Sequence, residues 1–403
     1  MDIRITPALL KGKINVPPSK SISHRALIAA ALAKGESRIY GLLDCVDTIA
    51  TIEALTALGA KIEKKSDCTI VNGIDTPSEY ADINCHESGS TLRFLMPVAA
   101  ALGVKSIFRG EANLPNRPIT PYFTEFTKHN VKFNTAKMPY EMEGKLSGGV
   151  YEIAGNISSQ FITGFLFALS LLKDDSIIKL TSPLESKPYV DLTIDAMKAF
   201  GVTVEEYEQE YRIKGGQTFT PCEYCVEADM SQAAFFLVGK AIGGDIEALG
   251  LNFDSRQGDK EIINIVHNFI ETRTAFDVDA TQIPDLVPIM TVLACFAKGK
   301  SHIYGCERLR IKESDRLATI TEELNKLGAD ISIVDDSLYI NGVEKLCGGE
   351  CFAHTDHRIA MSLAIASQRC TEPIIIKGAE CVSKSYPTFF EDFKMLGGIA
   401  DVI

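Results

Sequence analysis

The chain has 403 residues, 46% of them hydrophobic, and a formal net charge of −12. This length predicts two or three domains with large cores, and the negative charge argues against non-specific binding to nucleic acid or anionic lipid. The longest apolar runs, such as the one from Phe161, stop short of the roughly 18 residues needed to span a bilayer. Eleven scattered cysteines favour reduced thiols over a disulfide framework. We therefore expect a cytoplasmic protein without nucleic-acid or membrane partners.

The chain opens with a predicted strand, "MDIRITPALLKGKINV", followed by an apolar helix that starts near Ser19. A further strand and an amphipathic helix follow. This helix ends at Gly59, because glycine tolerates the left-handed conformation of a helix end. The alternating stretch "AKIEKKSDCTIVNG" then predicts a hairpin that closes at Gly73. Together these elements make one unit of strand, helix, strand, helix and hairpin.

The same signals recur along the rest of the chain. Amphipathic helix ends are followed after 14 residues by a glycine in four places, which are Gly59 and Gly73, Asn130 and Gly144, Gly201 and Gly215, and Gly328 and Gly342. The apolar helices start from polar heads spaced by 69, 70, 71, 56 and 71 residues, with anchors at Ser19, Ser88, Ser158, Asp229, Asp285 and Asp356. A helix that is apolar all round must be buried on every side. The pattern predicts six repeated units.

Six units suggest an α/β protein of two domains with three units each. The first strand precedes the first buried helix, and the last unit ends on a strand with no partner after it. We therefore expect the N-terminal strand to join the C-terminal domain, which gives one domain of residues 1–17 and 227–403 and a second domain of residues 18–226.

Cations stand at the heads of three apolar helices. Lys20 and Arg25, Arg93, and His357 with Arg358 all lie in the first turns. A positive charge at this end opposes the helix dipole and costs stability, whereas the free N–H groups there attract anions. Because the feature recurs at matching positions of a repeat, it indicates a shared anionic ligand.

Further basic residues lie in loops. Arg117 stands between two prolines in "ANLPNRPITP", and Lys384 lies in "CVSKSYPTFF". A loop-tethering ion pair and a ligand contact are both open for Arg117. The stretch "ERLRIKESDRL" packs charges that can also be explained as a solvated helix start laced with local ion pairs: Arg308, Arg310, Lys312, Glu313, Asp315 and Arg316.

One acidic residue, Asp285 in "QIPDLVPIM", precedes a buried helix, where a plain N-cap is the simplest interpretation. No glycine-rich nucleotide motif follows a strand, and the histidines are isolated from one another. The single CxxC, at Cys222 and Cys225, has no second pair at zinc spacing. We therefore expect no cofactor and no metal, and charge neutralisation by Lys and Arg.

Together these residues resemble the 5-enolpyruvylshikimate-3-phosphate (EPSP) synthase family. The matching stretches run through the whole chain in the family's order: "PPSKSISHRAL", "SGSTLRF", "NRPI", "SSQFITG", "SKPYVDLT", "IPDLVP", "RIKESDRL", "TDHRIAM" and "SKSYPTFFEDF". The resemblance implies an inverted α/β barrel pair, in which each domain has three βαβαββ units with buried helices. A monomer is expected.

The resemblance also implies a reaction of the shikimate pathway, which leads to chorismate and the aromatic amino acids. The enolpyruvyl group of phosphoenolpyruvate is transferred to the 5-hydroxyl of shikimate 3-phosphate, and phosphate leaves, by addition and elimination through a tetrahedral intermediate. Both substrates carry a phosphate and a carboxylate, so a dense cationic site suits the chemistry.

Matching motifs carry the family's site residues onto this chain. Phosphoenolpyruvate is expected at Lys20, Gly89, Arg117, Arg316, Arg358 and Lys384. Shikimate 3-phosphate is expected at Ser21, Arg25, Ser158, Ser159, Gln160, Ser186, Tyr189, Asp285 and Lys312. Asp285 would be the general base for the 5-hydroxyl, and Glu313 with Lys20 would handle the proton at C3 of phosphoenolpyruvate.

Two positions depart from the best-known bacterial pattern: Glu87 places an acid near a phosphate site, and Arg308 replaces an asparagine. The alternatives are an enolpyruvyl transferase acting on UDP-N-acetylglucosamine and a non-catalytic or RNA-binding repeat scaffold. The first usually has a reactive cysteine in the loop that here reads "EANLPNRPI". The net charge and the cationic helix heads speak against the second.

Overall fold

The computed structural model describes residues 1–403, and the chain divides into two compact units. The continuous unit contains Pro18–Glu227, and the discontinuous unit contains Met1–Pro17 with Ala228–Ile403. The predicted second boundary lay between residues 226 and 227, and in the structure the chain divides one residue later. No helix has the length and apolar character needed to cross a membrane.

Short strands form the sheets of both units. In chain order they are β1 (Ile3–Thr6), β2 (Lys11–Asn15), β3 (Glu36–Tyr40), β4 (Lys61–Lys64), β5 (Cys68–Asn72), β6 (Tyr80–Asn84), β7 (Lys105–Arg109), β8 (Val131–Phe133), β9 (Tyr140–Gly144), β10 (Gly149–Ile153), β11 (Ser176–Leu180), β12 (Glu205–Tyr207), β13 (Glu210–Ile213), β14 (Glu223–Cys225), β15 (Asp245–Leu249), β16 (Asp277–Asp279), β17 (Lys300–Tyr304), β18 (Asp330–Val334), β19 (Ser337–Asn341), β20 (Gly349–Phe352), β21 (Ile374–Lys377) and β22 (Ile399–Val402).

Helices alternate with the strands, and short 3-10 turns occur in several connections. The α-helices are α1 (Lys20–Leu32), α2 (Val46–Ala57), α3 (Gly89–Leu102), α4 (Thr120–Lys128), α5 (Ser159–Leu169), α6 (Lys187–Ala199), α7 (Met230–Ala241), α8 (Ile262–Thr272), α9 (Val287–Ala294), α10 (Arg316–Lys326), α11 (His357–Ala366) and α12 (Phe389–Met395).

A four-stranded sheet with one parallel and two antiparallel pairs is the basic unit. In the order β10-β11-β13-β12, the parallel strands β10 and β11 are joined through α5, and α6 leads to the hairpin of β12 and β13. A parallel pair needs such a crossover, whereas antiparallel strands can be joined by a tight turn. The predicted βαβαββ unit and the α/β fold class are confirmed.

Distant segments complete two of the sheets. Strand β1 lies between β21 and β22, with Ile3 opposite both Ile376 and Val402. Strand β14 lies parallel to β3, at the other end of the continuous unit. The sheet of β20, β21 and β22 is therefore completed by β1, and the sheet of β3, β4 and β5 is completed by β14. In both cases the completing strand is remote in sequence.

One of the six predicted units is incomplete. Strand β15 pairs only with β2, and α8 then leads to β16 without a hairpin between them. The missing hairpin explains why the spacing from Asp229 to Asp285 is 56 residues, whereas the other spacings are 69 to 71. The prediction of three complete units in each domain is therefore wrong for the discontinuous unit.

Burial separates the two kinds of helix as predicted. Every residue from Ile22 to Leu32 in α1 is buried, whereas α8 buries only Ile262, Val266 and Phe269, which lie on one stripe. A stripe at this spacing faces the core, and an all-round apolar helix must be enclosed. The apolar helices therefore form the interior of each unit.

The predicted helix ends and hairpin closures also have the expected backbone. Asn130 has a left-handed φ of 67° at the end of α4. At Gly342 a Cβ atom would lie 1.7 Å from the carbonyl oxygen of Ala297, so only glycine fits this closure.

Candidate active site

The predicted helix heads fall into two groups. Five anchor side chains accept a hydrogen bond from a backbone N–H group and are N-caps: Ser19, Ser88, Ser158, Asp229 and Asp356. Asp285 is the exception. It lies in a 3-10 turn, and α9 begins after Leu286 without a side-chain cap. The N-cap interpretation of Asp285 is therefore wrong.

The carboxylate of Asp285 is surrounded by cations of the discontinuous unit. Lys312 Nζ donates to Oδ1 at 3.2 Å, Arg316 Nη1 donates to the same oxygen at 2.9 Å, and Arg358 Nη2 donates to Oδ2 at 3.0 Å. Arg358 Nη1 also donates to the main-chain carbonyl oxygen of Asp285 at 3.2 Å. Three sequence-distant segments thus meet at one carboxylate.

Arg316 is held more firmly than a solvated helix start requires. Its Nε donates to Asp356 Oδ2 at 2.7 Å, and its Nη2 donates to Asp356 Oδ1 at 3.2 Å and to Glu313 Oε2 at 2.7 Å. The Arg316 side chain is 1% exposed and that of Asp356 is 0% exposed. Burial alone would lower the pKa of Arg316, yet Asp356, Glu313 and Asp285 together raise it above its ordinary value.

These charges set the ionisation of the cluster. Burial alone would raise the pKa of Asp285, but Arg358, Lys312 and Arg316 outweigh it and hold this pKa well below its ordinary value. Burial lowers the pKa of Lys312 to about 8; Asp285 opposes this shift, and Arg308 adds to it. At neutral pH the cluster therefore holds an ionised acid and a lysine close to its titration point.

Lys384, the remaining predicted cation of this unit, is buried and lies next to the head of α11. Its Nζ donates to the carbonyl oxygen of Thr355 at 2.7 Å. Thr355 has a left-handed φ of 54° and directly precedes Asp356. A strained main-chain conformation of this kind is concentrated at functional sites.

A further acid near this cluster, Asp259, is 2% exposed and was not predicted. Ser231, on the first turn of α7, hydrogen-bonds to its Oδ2. Burial, and then the charge of Asp285, raise the pKa of Asp259 to about 6, while Arg358 lowers it. Asp259 thus belongs electrostatically to the Asp285 cluster.

In the continuous unit, Lys20 is the first residue of α1. Its Nζ lies 2.9 Å from Asp47 Oδ2, and the two side chains are 15% and 10% exposed. Because both side chains are largely buried, this ion pair restricts the position of the ammonium group. Asp47, in the first turn of α2, was not predicted.

Arg25 donates to three groups of the protein. Its Nε donates to Thr193 Oγ1 at 2.8 Å, Nη1 to the Ser21 carbonyl oxygen at 2.6 Å, and Nη2 to the Tyr189 carbonyl oxygen at 2.8 Å. Burial lowers the pKa of Arg25 to about 10. Arg25 therefore joins α1 to the start of α6, where Ser186 has a left-handed φ of 54°.

Arg117 lies directly against the head of α3. A Cβ atom on Gly89 would be 2.5 Å from Arg117 Nη1, so only glycine lets the guanidinium group approach this backbone. The head of α5 lies nearby, because Gln160 Oε1 accepts from Arg93 Nη1 at 2.7 Å. Ser158 and Ser159 at this head are buried. The unit thus brings predicted residues of both substrates together.

One further group has the composition of a metal site. Ligand atoms of Glu322, Glu323 and His354 lie within 4.8 Å of one another. However, Lys326 Nζ lies 2.8 Å from both glutamates, and Glu323 Oε2 accepts from the Phe352 N–H group at 3.0 Å. The lysine already supplies the positive charge that a metal ion would provide.

Comparison with known proteins identifies the family. The family model described as EPSP synthase (3-phosphoshikimate 1-carboxyvinyltransferase) matches residues 5–393. The chain belongs to the EPSP synthase family. Relatives named 3-phosphoshikimate 1-carboxyvinyltransferase include one from Clostridium perfringens, strain 13, with 48% identity over 98% of both chains. Another, from Clostridioides difficile, strain 630, has 46% identity over 99% of this chain and 98% of the relative.

Solved structures share the fold of this chain. EPSP synthase from Acinetobacter baumannii has a TM-score of 0.82 and 26% identity over 100% of both chains. The enolpyruvyl transferase NikO from Streptomyces tendae has a TM-score of 0.77 at 16% identity, over 99% of this chain and 98% of the other, which shows a shared fold.

Proposed function

We propose that this chain transfers the enolpyruvyl group of phosphoenolpyruvate to the 5-hydroxyl of shikimate 3-phosphate and releases phosphate, in the biosynthesis of aromatic amino acids. The observation that carries this proposal is the partly buried Asp285 carboxylate with three cations around it, in a member of the EPSP synthase family. A structural cap would not need that environment, whereas a base next to anionic substrates does.

The binding residues proposed here are those that the family resemblance implies, and the cations among them suit the charges of the substrates. Phosphate and carboxylate groups are best bound by guanidinium and ammonium groups, which form short charge-assisted hydrogen bonds. Phosphoenolpyruvate is bound by Lys20, Gly89, Arg117, Arg316, Arg358 and Lys384. Shikimate 3-phosphate is bound by Ser21, Arg25, Ser158, Ser159, Gln160, Ser186, Tyr189, Asp285 and Lys312.

Substrate binding activates the base in this scheme. With three cations around it, Asp285 has a pKa well below its ordinary value and is a weak base. A phosphoenolpyruvate anion on Arg316 and Arg358 competes for their charge, which raises the basicity of Asp285. The base therefore gains strength only when the second substrate is in place.

The reaction then proceeds by addition followed by elimination. Asp285 takes the proton of the 5-hydroxyl while the hydroxyl oxygen bonds to C2 of phosphoenolpyruvate. C3 receives a proton from Glu313 or Lys20. In the elimination, C3 returns a proton to the same pair, the C2–C3 double bond forms again, and the C2–O bond to phosphate breaks. Asp285 gives its proton to the departing phosphate, so both acid–base groups return to their starting states. The cations stabilise the charge on the departing phosphate.

Phosphate release tests this function directly. The purified protein should release phosphate from phosphoenolpyruvate only when shikimate 3-phosphate is present, and UDP-N-acetylglucosamine should not replace it. Release with the UDP-sugar would favour the sister transferase, and no release with either acceptor would refute the proposal.

We also propose that the enzyme works as a monomer in the cytoplasm. All eleven cysteines are free thiols, which suits a reducing compartment. Sedimentation at micromolar protein concentration should give a single species of the mass of one chain, and a dimer would contradict this part of the proposal.

A further inference from the structure

Arg93 connects two parts of the continuous unit, although its side chain was predicted to bind a ligand. It is 3% exposed. Nη1 donates to Gln160 Oε1 at 2.7 Å, and Nη2 donates to the Pro118 carbonyl oxygen at 3.0 Å. Its guanidinium carbon lies 4.9 Å from the ring centroid of Phe161. One buried cation thus contacts the head of α5 and the loop that carries Arg117.

The first contact places Arg93 next to a substrate residue of the proposed function. The Gln160 amide is held at both ends by α3, because Nε2 donates to Ser90 Oγ at 3.1 Å while Oε1 accepts from Arg93. Each end of the amide keeps one further hydrogen-bonding position, so a ligand bound there polarises and turns the same amide that accepts from Arg93. Binding at Gln160 therefore acts on the position of the Arg93 guanidinium group.

The second contact leads to the proposed anion-binding residue. Pro118 directly follows Arg117, whose guanidinium group lies against the backbone of Gly89. The loop thus contacts α3 at two places, at Gly89, the first residue of the helix, and one turn later at Arg93. Arg117 can take only those positions that the Pro118–Arg93 bond permits.

The backbones around Arg93 are closely packed, so the Arg93 side chain is the part that can move between Gln160 and the loop of Arg117. A Cβ atom on Gly164 would lie 2.3 Å from the Arg93 carbonyl oxygen, so α3 and α5 are in backbone contact. Tyr122, on α4, donates to the same carbonyl oxygen at 2.5 Å and to that of Phe161 at 3.2 Å. Close-packed backbones transmit displacement rather than absorb it.

From these contacts we infer that Arg93 is a positioning residue that couples the two substrates, so that shikimate 3-phosphate at Gln160 aligns Arg117 for the phosphoenolpyruvate anion. This inference rests on the proposed function. Coupling between binding sites is reciprocal, so the anion strengthens binding of shikimate 3-phosphate by the same factor. Arginine is required because its planar fork reaches two acceptors, whereas lysine carries a single charged nitrogen.

Calorimetry with an unreactive anion measures the coupling. The probe is 2-phosphoglycolate, which has the phosphate and carboxylate of phosphoenolpyruvate but no double bond to attack. Saturating shikimate 3-phosphate should tighten its binding to the wild type by about tenfold, within the usual range of such couplings. Arg93→Lys should lower this ratio to about twofold or less, with little change in binding of the probe alone.

A matched control separates coupling from general loss of structure. Arg109→Lys alters an exposed arginine of the same unit, which pairs with Asp82, and should keep the wild-type ratio. If Arg93→Lys does not fold, Gln160→Met removes the same bond from the other side and should also lose the ratio, at a shikimate 3-phosphate concentration shown to saturate it.

The outcomes are distinct. The measured ratio compares probe affinity with and without shikimate 3-phosphate. The inference is overturned if this ratio in Arg93→Lys or in Gln160→Met equals that of the wild type. It is also overturned if shikimate 3-phosphate does not change the probe affinity of the wild type. Phosphate release by the same wild-type preparation is measured in parallel. If activity is present and only the coupling result fails, the proposed function stands; if activity is absent, the proposed function fails first.

Discussion

Arg358 contacts Asp285 at two points, with Nη2 3.0 Å from Oδ2 and Nη1 3.2 Å from the main-chain carbonyl oxygen. The side chain of one residue therefore fixes both the charge and the backbone of the other. Any anion that draws Arg358 away changes the basicity of Asp285 and its position together.

Asp285→Asn should reduce kcat by about 10²–10⁴-fold, the usual contribution of a general base. The KM for phosphoenolpyruvate should not rise, because the amide leaves the surrounding cations free for the substrate anion. The control is Asp336→Asn, which removes a carboxylate that pairs with Arg310 at 2.8 Å but is 41% exposed. More than about a tenth of wild-type activity in Asp285→Asn would contradict its role as the base.

The pH dependence of kcat/KM for shikimate 3-phosphate should show the deprotonation of Lys312. Burial lowers its pKa to about 8, so kcat/KM for shikimate 3-phosphate should fall as pH rises past that value and the cation is lost. Lys312→Arg should remove this fall, since arginine stays charged. Lys326→Arg, on a partly exposed lysine, should leave the profile of the wild type unchanged.

The same group has the opposite effect on stability. The folded-state pKa of Lys312 lies below the value of about 10.4 for an unfolded lysine. Between these two pH values the unfolded chain binds more protons, so the contribution of Lys312 to the free energy of unfolding rises with pH. Urea titrations from pH 7.5 to 10 should show a larger rise for wild type than for Lys312→Arg; equal slopes would contradict the shift.

Gly89→Ala should selectively weaken phosphoenolpyruvate binding. The added methyl group would lie 2.5 Å from Arg117 Nη1 and must displace the guanidinium group. Overpacking of this kind costs about 1–3 kcal/mol, which corresponds to about 5–150-fold in KM for phosphoenolpyruvate. Binding of shikimate 3-phosphate, measured by calorimetry, is the internal control and should change little. An unchanged KM for phosphoenolpyruvate would show that Arg117 does not bind this substrate.

Asp356→Ala should destabilise the protein far more than Asp315→Ala, although both remove a helix N-cap. Asp356 also pairs with the buried Arg316, whereas Asp315 is 38% exposed. Loss of a cap costs about 1 kcal/mol, and removal of one partner of a buried ion pair costs up to about 3–5 kcal/mol, a cost that the remaining pairs of Arg316 with Glu313 and Asp285 reduce. Urea denaturation followed by circular dichroism compares the two variants. Similar midpoints would mean that Arg316 does not depend on Asp356.

Local chemistry made much of the fold predictable. Asn130 and Gly342 occupy positions where only certain residues fit the backbone, and such positions recur in sequence with the repeat. Ser19 and Ser88 are N-caps for equally local reasons. The lack of a hairpin after α8 appears in the sequence only as the shorter spacing between Asp229 and Asp285. This spacing shows that the unit is shorter but not which element it lacks.

The site was less predictable because partners are distant in sequence. Asp285 looked like a cap, and only the arrival of Arg358, 73 residues away, shows otherwise. Arg25 and Arg93 were identified as cations near an anion, but their hydrogen bonds to Tyr189 and Gln160 depend on how helices pack. Asp259 carries no local signal, because burial alone makes it electrostatically important.

The position of β1 between β21 and β22 has a consequence for biosynthesis. Strand β1 leaves the ribosome long before β21 and β22, its neighbours in the sheet, whereas β14 completes the continuous unit much earlier. The continuous unit can therefore fold during translation before β1 has any partner, and β1 joins its sheet only after β22 has been made.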